Sequence, residues 1–311
     1  MQNLGAGYHP GVYETLGPLA RGGMAELFFA RATCGPHAGL PLVVKRLLPH
    51  LADVEDIGSL FAHEVALAMR LEHPCIVRVL DRGEIDGVPF LVMPWLDGLD
   101  VRELEARLAA GRERLPIGVG CAIGARIAAA LDYAHALADE HGRPLGVVHR
   151  DISPHNVMLT RAGDVKVLDF GIAKTRLTAT RTGLVRGKAA YMAPEQLAGF
   201  DVDGRADLFS LGVVVWELLT GVRLFQMATE TGTARAVREA PTTPPSAFAP
   251  EARGQLDAIV GAMLSKFPSG RPRSAGVVAA ALGAEALKRG VADPRQAIAA
   301  VVAAHAPRVH R

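Results

Sequence analysis

His149-Arg150-Asp151-Ile152-Ser153-Pro154-His155-Asn156, followed by Asp169-Phe170-Gly171, is the stretch on which the reading of this chain turns. It places an acid able to orient a hydroxyl, Asp151, and two oxygen donors suited to magnesium, Asn156 and Asp169, on two loops close together in sequence. A loop bearing aspartate or asparagine, taken alone, is ordinarily a solvated turn. Two such loops with complementary groups in a fixed order need a different explanation.

Upstream of these loops, short β-like runs surround one helical segment. Leu27 to Arg31, Leu42 to Arg46, Cys75 to Leu80 and Pro89 to Met93 read as strands, with a turn at Glu84-Ile85-Asp86-Gly87. Ile57 to Leu71 has helical spacing, with Leu60, Phe61, Leu67 and Leu71 near one face. After Pro94-Trp95-Leu96-Asp97-Gly98 the pattern changes to helices. The spacing predicts them over Val101 to Ala110, Ile117 to Asp139, Asp207 to Thr220, Glu230 to Glu239, Arg253 to Lys266 and Ala275 to Lys288. A further helix, Pro294 to Ala304, is expected to pack on this larger part. Pro241 to Pro250 reads as a loop between helices.

The 311 residues are enough to bury a substantial core, and with 50% hydrophobic but only 5% aromatic residues that core must be mostly Ala, Leu and Val. A net charge of +2 gives no argument for nucleic acid or an anionic membrane as partner. Cys34, Cys75 and Cys121 lie far apart without a CxxC pair, which points to small buried hydrophobes in a reducing compartment. The N-terminus lacks the layout of a signal peptide. The apolar stretch Leu211 to Val222 is interrupted by Glu217 and too short to span a bilayer. The expectation is a cytoplasmic chain with no membrane segment.

With H-R-D…N and D-F-G in place, the chain resembles a eukaryotic-like (Hanks-type) protein kinase over roughly residues 12 to 285. Arg21-Gly22-Gly23-Met24-Ala25-Glu26 is similar to the phosphate loop of bacterial members. The lead-in Glu140 to Gly146, together with H-R-D-x-S-P-x-N, is similar to one bacterial serine/threonine subfamily. The resemblance implies an α+β, bilobal kinase fold: a small β-rich N-lobe with one main helix, a larger mostly helical C-lobe, and ATP bound between them. The expected organisation is an extension (1–11), N-lobe (12–93), hinge (94–98), C-lobe (99–289) and helical tail (290–311).

The same resemblance assigns the parts of a γ-phosphoryl transfer, which asks mainly for positioning and charge neutralisation. The phosphate loop falls on Ala20, Gly22, Gly23, Ala25 and Leu27, with only the central glycine of the family pattern retained and Gly23 added beside it. Lys45 matches the lysine that touches the α- and β-phosphates, and Glu64 the glutamate that holds it. Val43, Met93, Pro94, Leu96 and Met158 complete the nucleotide-binding set. Pro94 can still accept through its carbonyl and Leu96 can donate its N–H. Asp151 is the expected catalytic acid–base residue, with Asn156 and Asp169 as ligands of Mg2+. Arg150 would pair with a phosphorylated activation loop, for which Thr175, Thr178, Thr180 and Thr182 are candidates and Thr180 and Thr182 align best. Glu195 of Ala193-Pro194-Glu195 would pair with Arg271, and Asp207 would anchor the catalytic loop.

One departure stands out. Serine/threonine members usually have lysine at the position of Ser153 and Gly-Thr at that of Gly187-Lys188. In the family that lysine and threonine touch each other near the catalytic aspartate, so the two changes read as an exchange in which Lys188 supplies the charge missing at 153. These residues imply a protein kinase acting on serine or threonine of protein substrates and on its own activation segment, a second copy being its partner for trans-autophosphorylation. The alternative is a nucleotide-binding pseudokinase acting as a scaffold or regulator. The altered glycine loop and Ser153 favour the alternative; Lys45, Glu64, Asp151, Asn156 and Asp169 oppose it. A small-molecule kinase is disfavoured by the full activation segment. The missing lysine is also missing from tyrosine kinases, which leaves tyrosine acceptors open.

Overall fold

The structure is a computed structural model and describes residues 12–52, 57–170 and 187–307, without the side chains of Ile57, Ser59, Leu60, His63 and Glu64. The chain divides into two compact units, Met1–His73 with Val77–Leu96, and Pro74–Ile76 with Asp97–Arg311.

The first unit is a five-stranded antiparallel sheet of β1 (Tyr13–Arg21), β2 (Ala25–Ala32), β3 (Pro41–Leu47), β4 (Asp81–Ile85) and β5 (Val88–Pro94), ordered β1-β2-β3-β5-β4. Side chains alternate across such a sheet, and cross-strand partners share a face. Phe28, Ala30, Leu42, Val44, Phe90 and Val92 therefore fall together on a closed face and form its core. The opposite face carries Leu27, Val43, Lys45 and Met93, since Leu27 pairs with Lys45 and Val43 with Met93. Tyr13 on β1 donates its hydroxyl to Asp81 on β4 at 2.6 Å, although these strands sit at opposite ends of the sheet order. The sheet thus curls until its edges meet, the usual outcome of accumulated strand twist. Burial and the Asp81 carboxylate push the Tyr13 hydroxyl far above its ordinary pKa. The helix α1 covers Ile57–Ala68, shorter than the spacing predicts, and buries Phe61 and Val65.

Cys75 to Leu80 does not form the expected strand. Its apolar residues are divided between two partners: the Cys75 carbonyl accepts from Val167 in the second unit, while Leu80 N–H donates to Val92 in the first. No continuous ladder can form along it. Conversely β1 has no counterpart among the strands read from sequence, because its inner residues alternate only weakly with polar ones and most of it is exposed.

The second unit contains α2 (Val101–Gly111), α3 (Ile117–His135), α4 (Gly204–Thr220), α5 (Glu230–Glu239), α6 (Gln255–Met263), α7 (Ala275–Lys288) and α8 (Pro294–His305). It also holds a small sheet, β6 (Gly98–Asp100), β7 (Val157–Thr160) and β8 (Val165–Val167). The central helix α4 is buried from Ala206 to Thr220. Its start lies at Gly204, capped by Asp203, so Asp207 sits one turn inside the helix rather than opening it. Helix α3 packs between α4 and α7, which approach so closely at Gly124 that an added Cβ would meet Val215 at 2.7 Å and Leu282 at 2.9 Å. By length and composition α3 could cross a membrane, yet two-thirds of it is buried inside this unit, as for a core helix. Helix α8 packs on α3 and β7, and Arg295 at its start donates to the Ala162 carbonyl at 2.9 Å and pairs with Asp164 at 3.2 Å.

Candidate active site

The loop His149–Asn156 is tied to the most buried helix of the second unit by one carboxylate. Asp207, fully buried on α4, accepts the backbone N–H groups of His149 and Arg150, each at 2.8 Å, and lies 2.8 Å from His135 Nε2. A backbone amide donating to a buried anion is a strong hydrogen bond, so the loop's entry is fixed. His149 is itself buried. Its Nδ1 accepts from the Asp151 N–H at 3.2 Å, so Nε2 carries the proton and donates to the Leu168 carbonyl at 2.8 Å. This one ring joins the loop bearing Asp151 to the loop bearing Asp169. Its face packs on Phe170, with centroids 4.5 Å apart.

Two residues here are left-handed without being glycine, Arg150 at φ 65° and Asp169 at φ 52°. Such backbone costs about 1–3 kcal/mol each and persists only where surroundings enforce it. For Arg150 the enforcement is visible: Asp207 holds its N–H, and Gln196 Nε2 donates to its carbonyl at 3.1 Å. Burial lowers the pKa of the Arg150 guanidinium, partly offset by Asp207 and Asp201.

Asp151 is oriented by two donors on the same oxygen. Asn156 Nδ2 lies 2.8 Å and Lys188 Nζ 3.0 Å from its Oδ2, and Asn156 Nδ2 also reaches the Asp151 carbonyl at 2.7 Å. The Asn156 amide nitrogen is thereby committed to Asp151, which presents its carbonyl oxygen Oδ1 as the atom for a hard cation. Ser153 is buried at the start of the short 3-10 turn Pro154–Asn156, and its backbone carbonyl accepts the Asn156 N–H at 2.9 Å. Met158 follows on β7, paired with Asp100 and Lys166.

The remaining expected residues lie in the first unit. Gly22 and Gly23 form the turn between β1 and β2, closed by the Gly22 N–H on the Ala25 carbonyl at 2.8 Å; Ala20 pairs with Leu27. Lys45, Val43 and Met93 share the open face of the sheet. Pro94 ends β5, the Trp95 N–H is taken by Pro41 at 3.0 Å, and Leu96 closes the unit. Glu64 lies on α1 with its side chain outside the described residues. Gly171 and the candidate acceptors Thr175, Thr178, Thr180 and Thr182 also lie outside them.

Beyond the catalytic loop, Glu195 and Arg271 form a two-point ion pair at 2.6 and 2.8 Å, with Arg271 completely buried. A further cluster was not signalled by any motif. Glu217 on α4 accepts from the Tyr191 hydroxyl at 2.7 Å, from Arg223 at 3.0 Å and from the Leu224 N–H at 3.1 Å. Glu105 on α2 shares Arg223 at 3.5 Å and leaves its Oε1 buried without a hydrogen-bond partner among the described residues. Burial, then the charge of Glu217, push the Glu105 carboxyl up to about 7. Burial also raises Glu217, against the pull of Arg223. These partners come from residues scattered along the chain, so no local spacing reveals them.

A protein kinase domain model matches residues 13–281, and the chain belongs to the protein kinase domain family. It is 42% identical over 276 residues to the tyrosine-protein kinase MasK of Myxococcus xanthus, covering 88% of this chain and 42% of that protein. It is 35% identical over 275 residues to the serine/threonine-protein kinase PknB of Mycolicibacterium smegmatis, covering 85% of this chain and 41% of that one. The chain thus spans about two-fifths of the length of these curated relatives. Among solved structures it is similar to the Mycobacterium tuberculosis PknI kinase domain, with 30% identity, a TM-score of 0.66, and coverage of 88% of this chain and 96% of that domain.

Proposed function

We propose that this chain is a magnesium-dependent protein kinase that transfers the γ-phosphate of ATP to serine or threonine hydroxyls of proteins, its own activation segment included, and that it belongs with the bacterial members carrying an H-R-D-x-S-P-x-N loop. The observation that carries this reading is the treatment of Asp151. Its carboxylate is held by Asn156 and Lys188 on one oxygen, and its loop is anchored through Asp207. A carboxylate fixed in rotation in this way can accept and orient a hydroxyl proton.

Magnesium bound to ATP phosphates would supply charge neutralisation at the transferred group. Asn156 and Asp169 fit it by donor chemistry, as two oxygen ligands of the kind a hard cation takes. Among the described residues no group of three or more His, Cys, Asp or Glu side chains is gathered for a metal, so phosphate oxygens would complete the coordination. Lys45 would hold the α- and β-phosphates, and the Leu96 N–H and Pro94 carbonyl would read the adenine. Lys188 would take the part that lysine at position 153 plays in other members. Serine or threonine acceptors are favoured by the serine/threonine name of the Mycolicibacterium smegmatis relative. The tyrosine-kinase relative makes acceptor identity a point to measure.

Phosphate incorporation tests the proposal. Purified wild type with Mg-ATP should label itself on Thr180 or Thr182, and Asp151→Asn should not. Retained nucleotide binding with no incorporation in the wild type would replace this reading by that of a pseudokinase.

A further inference from the structure

We propose that Glu230 is a positioning residue for phosphoryl transfer, acting through the Gly187 backbone to hold Lys188 against Asp151. The proposal rests on the kinase reading above and reaches one residue further out. Glu230 is the first residue of α5, whose start is fixed by Thr229 accepting the Gly232 N–H at 3.0 Å. From there its Oε1 accepts the Gly187 N–H at 2.6 Å. Its second oxygen, Oε2, is buried without a hydrogen-bond partner among the described residues. Among the described residues, the carboxylate's hydrogen bond is to that one backbone N–H, a charge-assisted bond and so among the stronger kinds.

What that bond fixes is the direction of the chain at Gly187. Gly187 has φ 88°, a left-handed conformation that a side chain would oppose, and nothing lies within 4 Å of where a Cβ would stand. Glycine takes this conformation without strain but can also leave it. The Glu230 bond holds it from the side opposite the turn that the Lys188 carbonyl closes with the Tyr191 N–H at 3.1 Å. The next residue is Lys188, whose Nζ lies 3.0 Å from Asp151 Oδ2 while its side chain remains 41% exposed. A half-exposed lysine takes much of its direction from the backbone it springs from. Glu230, Gly187, Lys188 and Asp151 thus form one line of contacts inside the second unit, ending on the carboxylate that would orient the substrate hydroxyl.

The test compares Glu230→Ala and Glu230→Gln in the wild-type and Lys188→Ala backgrounds, using the full chain with Mg-ATP and dephosphorylated casein as acceptor. Two readouts are taken: kcat and KM for ATP from ADP release, and the rate of acetic-anhydride labelling of Lys188 by mass spectrometry. Glu230→Ala should lower kcat about tenfold with KM for ATP unchanged, the scale of one lost charge-assisted hydrogen bond. It should also speed Lys188 labelling several-fold. Glu230→Gln keeps an oxygen acceptor for the Gly187 N–H, though an uncharged one, and should recover a large part of both readouts. In the Lys188→Ala background Glu230→Ala should cost nothing further. An equal loss in both backgrounds, or unchanged Lys188 labelling, overturns the proposal and leaves Glu230 a helix-end residue only. If Glu230→Ala does not fold, Glu230→Asp, too short to reach Gly187, takes its place with the same expectations. A wild type without turnover would refute the kinase reading, while the labelling rates would still decide whether Glu230 positions Lys188.

Discussion

Removing the Lys188 ammonium should slow phosphoryl transfer without emptying the nucleotide site. Two unit charges at 3.0 Å, the Lys188–Asp151 separation, interact by about 5–6 kcal/mol at an effective dielectric of about 20. Lys188 is 41% exposed, so solvent screening removes most of this ground-state attraction. The ammonium's weight in turnover comes from the charge that develops on the transferred phosphoryl group, and Lys188→Ala and Lys188→Thr should each lower kcat by roughly 10². KM for ATP should hardly change, since Lys45, Pro94 and Leu96 lie in the other unit. The assay is steady-state ADP release over a range of ATP concentrations. The double variant Ser153→Lys, Lys188→Thr restores the arrangement of other family members and should recover most of the rate. Turnover equal to wild type in both single variants would refute the exchange of charge between positions 153 and 188.

Two further outcomes concern stability. Glu195→Ala strands the guanidinium of Arg271, whose side chain is 0% exposed, and should destabilise the domain by about 3–5 kcal/mol in denaturant melts; a loss under about 1 kcal/mol would contradict the pair's structural role. Glu105→Gln should stabilise the protein at pH 8 and be nearly neutral at pH 4.5. The folded-state pKa is raised from 4.5 to about 7, so the acid's favourable contribution is present at low pH and is lost as pH rises through that value. The difference amounts to about 3 kcal/mol at most, taking about 1.4 kcal/mol for each pH unit of the rise. A variant whose stability tracks wild type across pH 4.5 to 8 would mean that Glu105 ionises as it does in water.

The helical part of the fold was readable because its signal is local. Glu230–Glu239 and Ala275–Lys288 occupy the positions their periodicity predicts, and the two catalytic loops stand out as polar breaks in apolar sequence. The sheet was harder. Tyr13–Arg21 is mostly exposed and so carries little alternation, and Cys75 to Leu80 has an apolar run whose hydrogen bonds go to two different bodies. At the site, the kinase motifs supplied Asp151, Asn156 and Glu195 by order and type. The groups that set their geometry, such as Gln196 on Arg150 and Glu230 on Gly187, were invisible because a hydrogen bond across 46 or 43 positions leaves no spacing to detect.

The single carboxylate of Asp207 has a consequence for how this loop exchanges with solvent. Because the amides of His149 and Arg150 donate to a group on the fully buried α4, releasing them means exposing that helix. Loops ordinarily open at little cost and exchange their amide hydrogens through local fluctuations. These two amides should instead exchange with deuterium only as fast as the second unit unfolds, alongside the interior of α4 rather than with the loops around them. The residues that would carry the chemistry would then open only when the whole unit does.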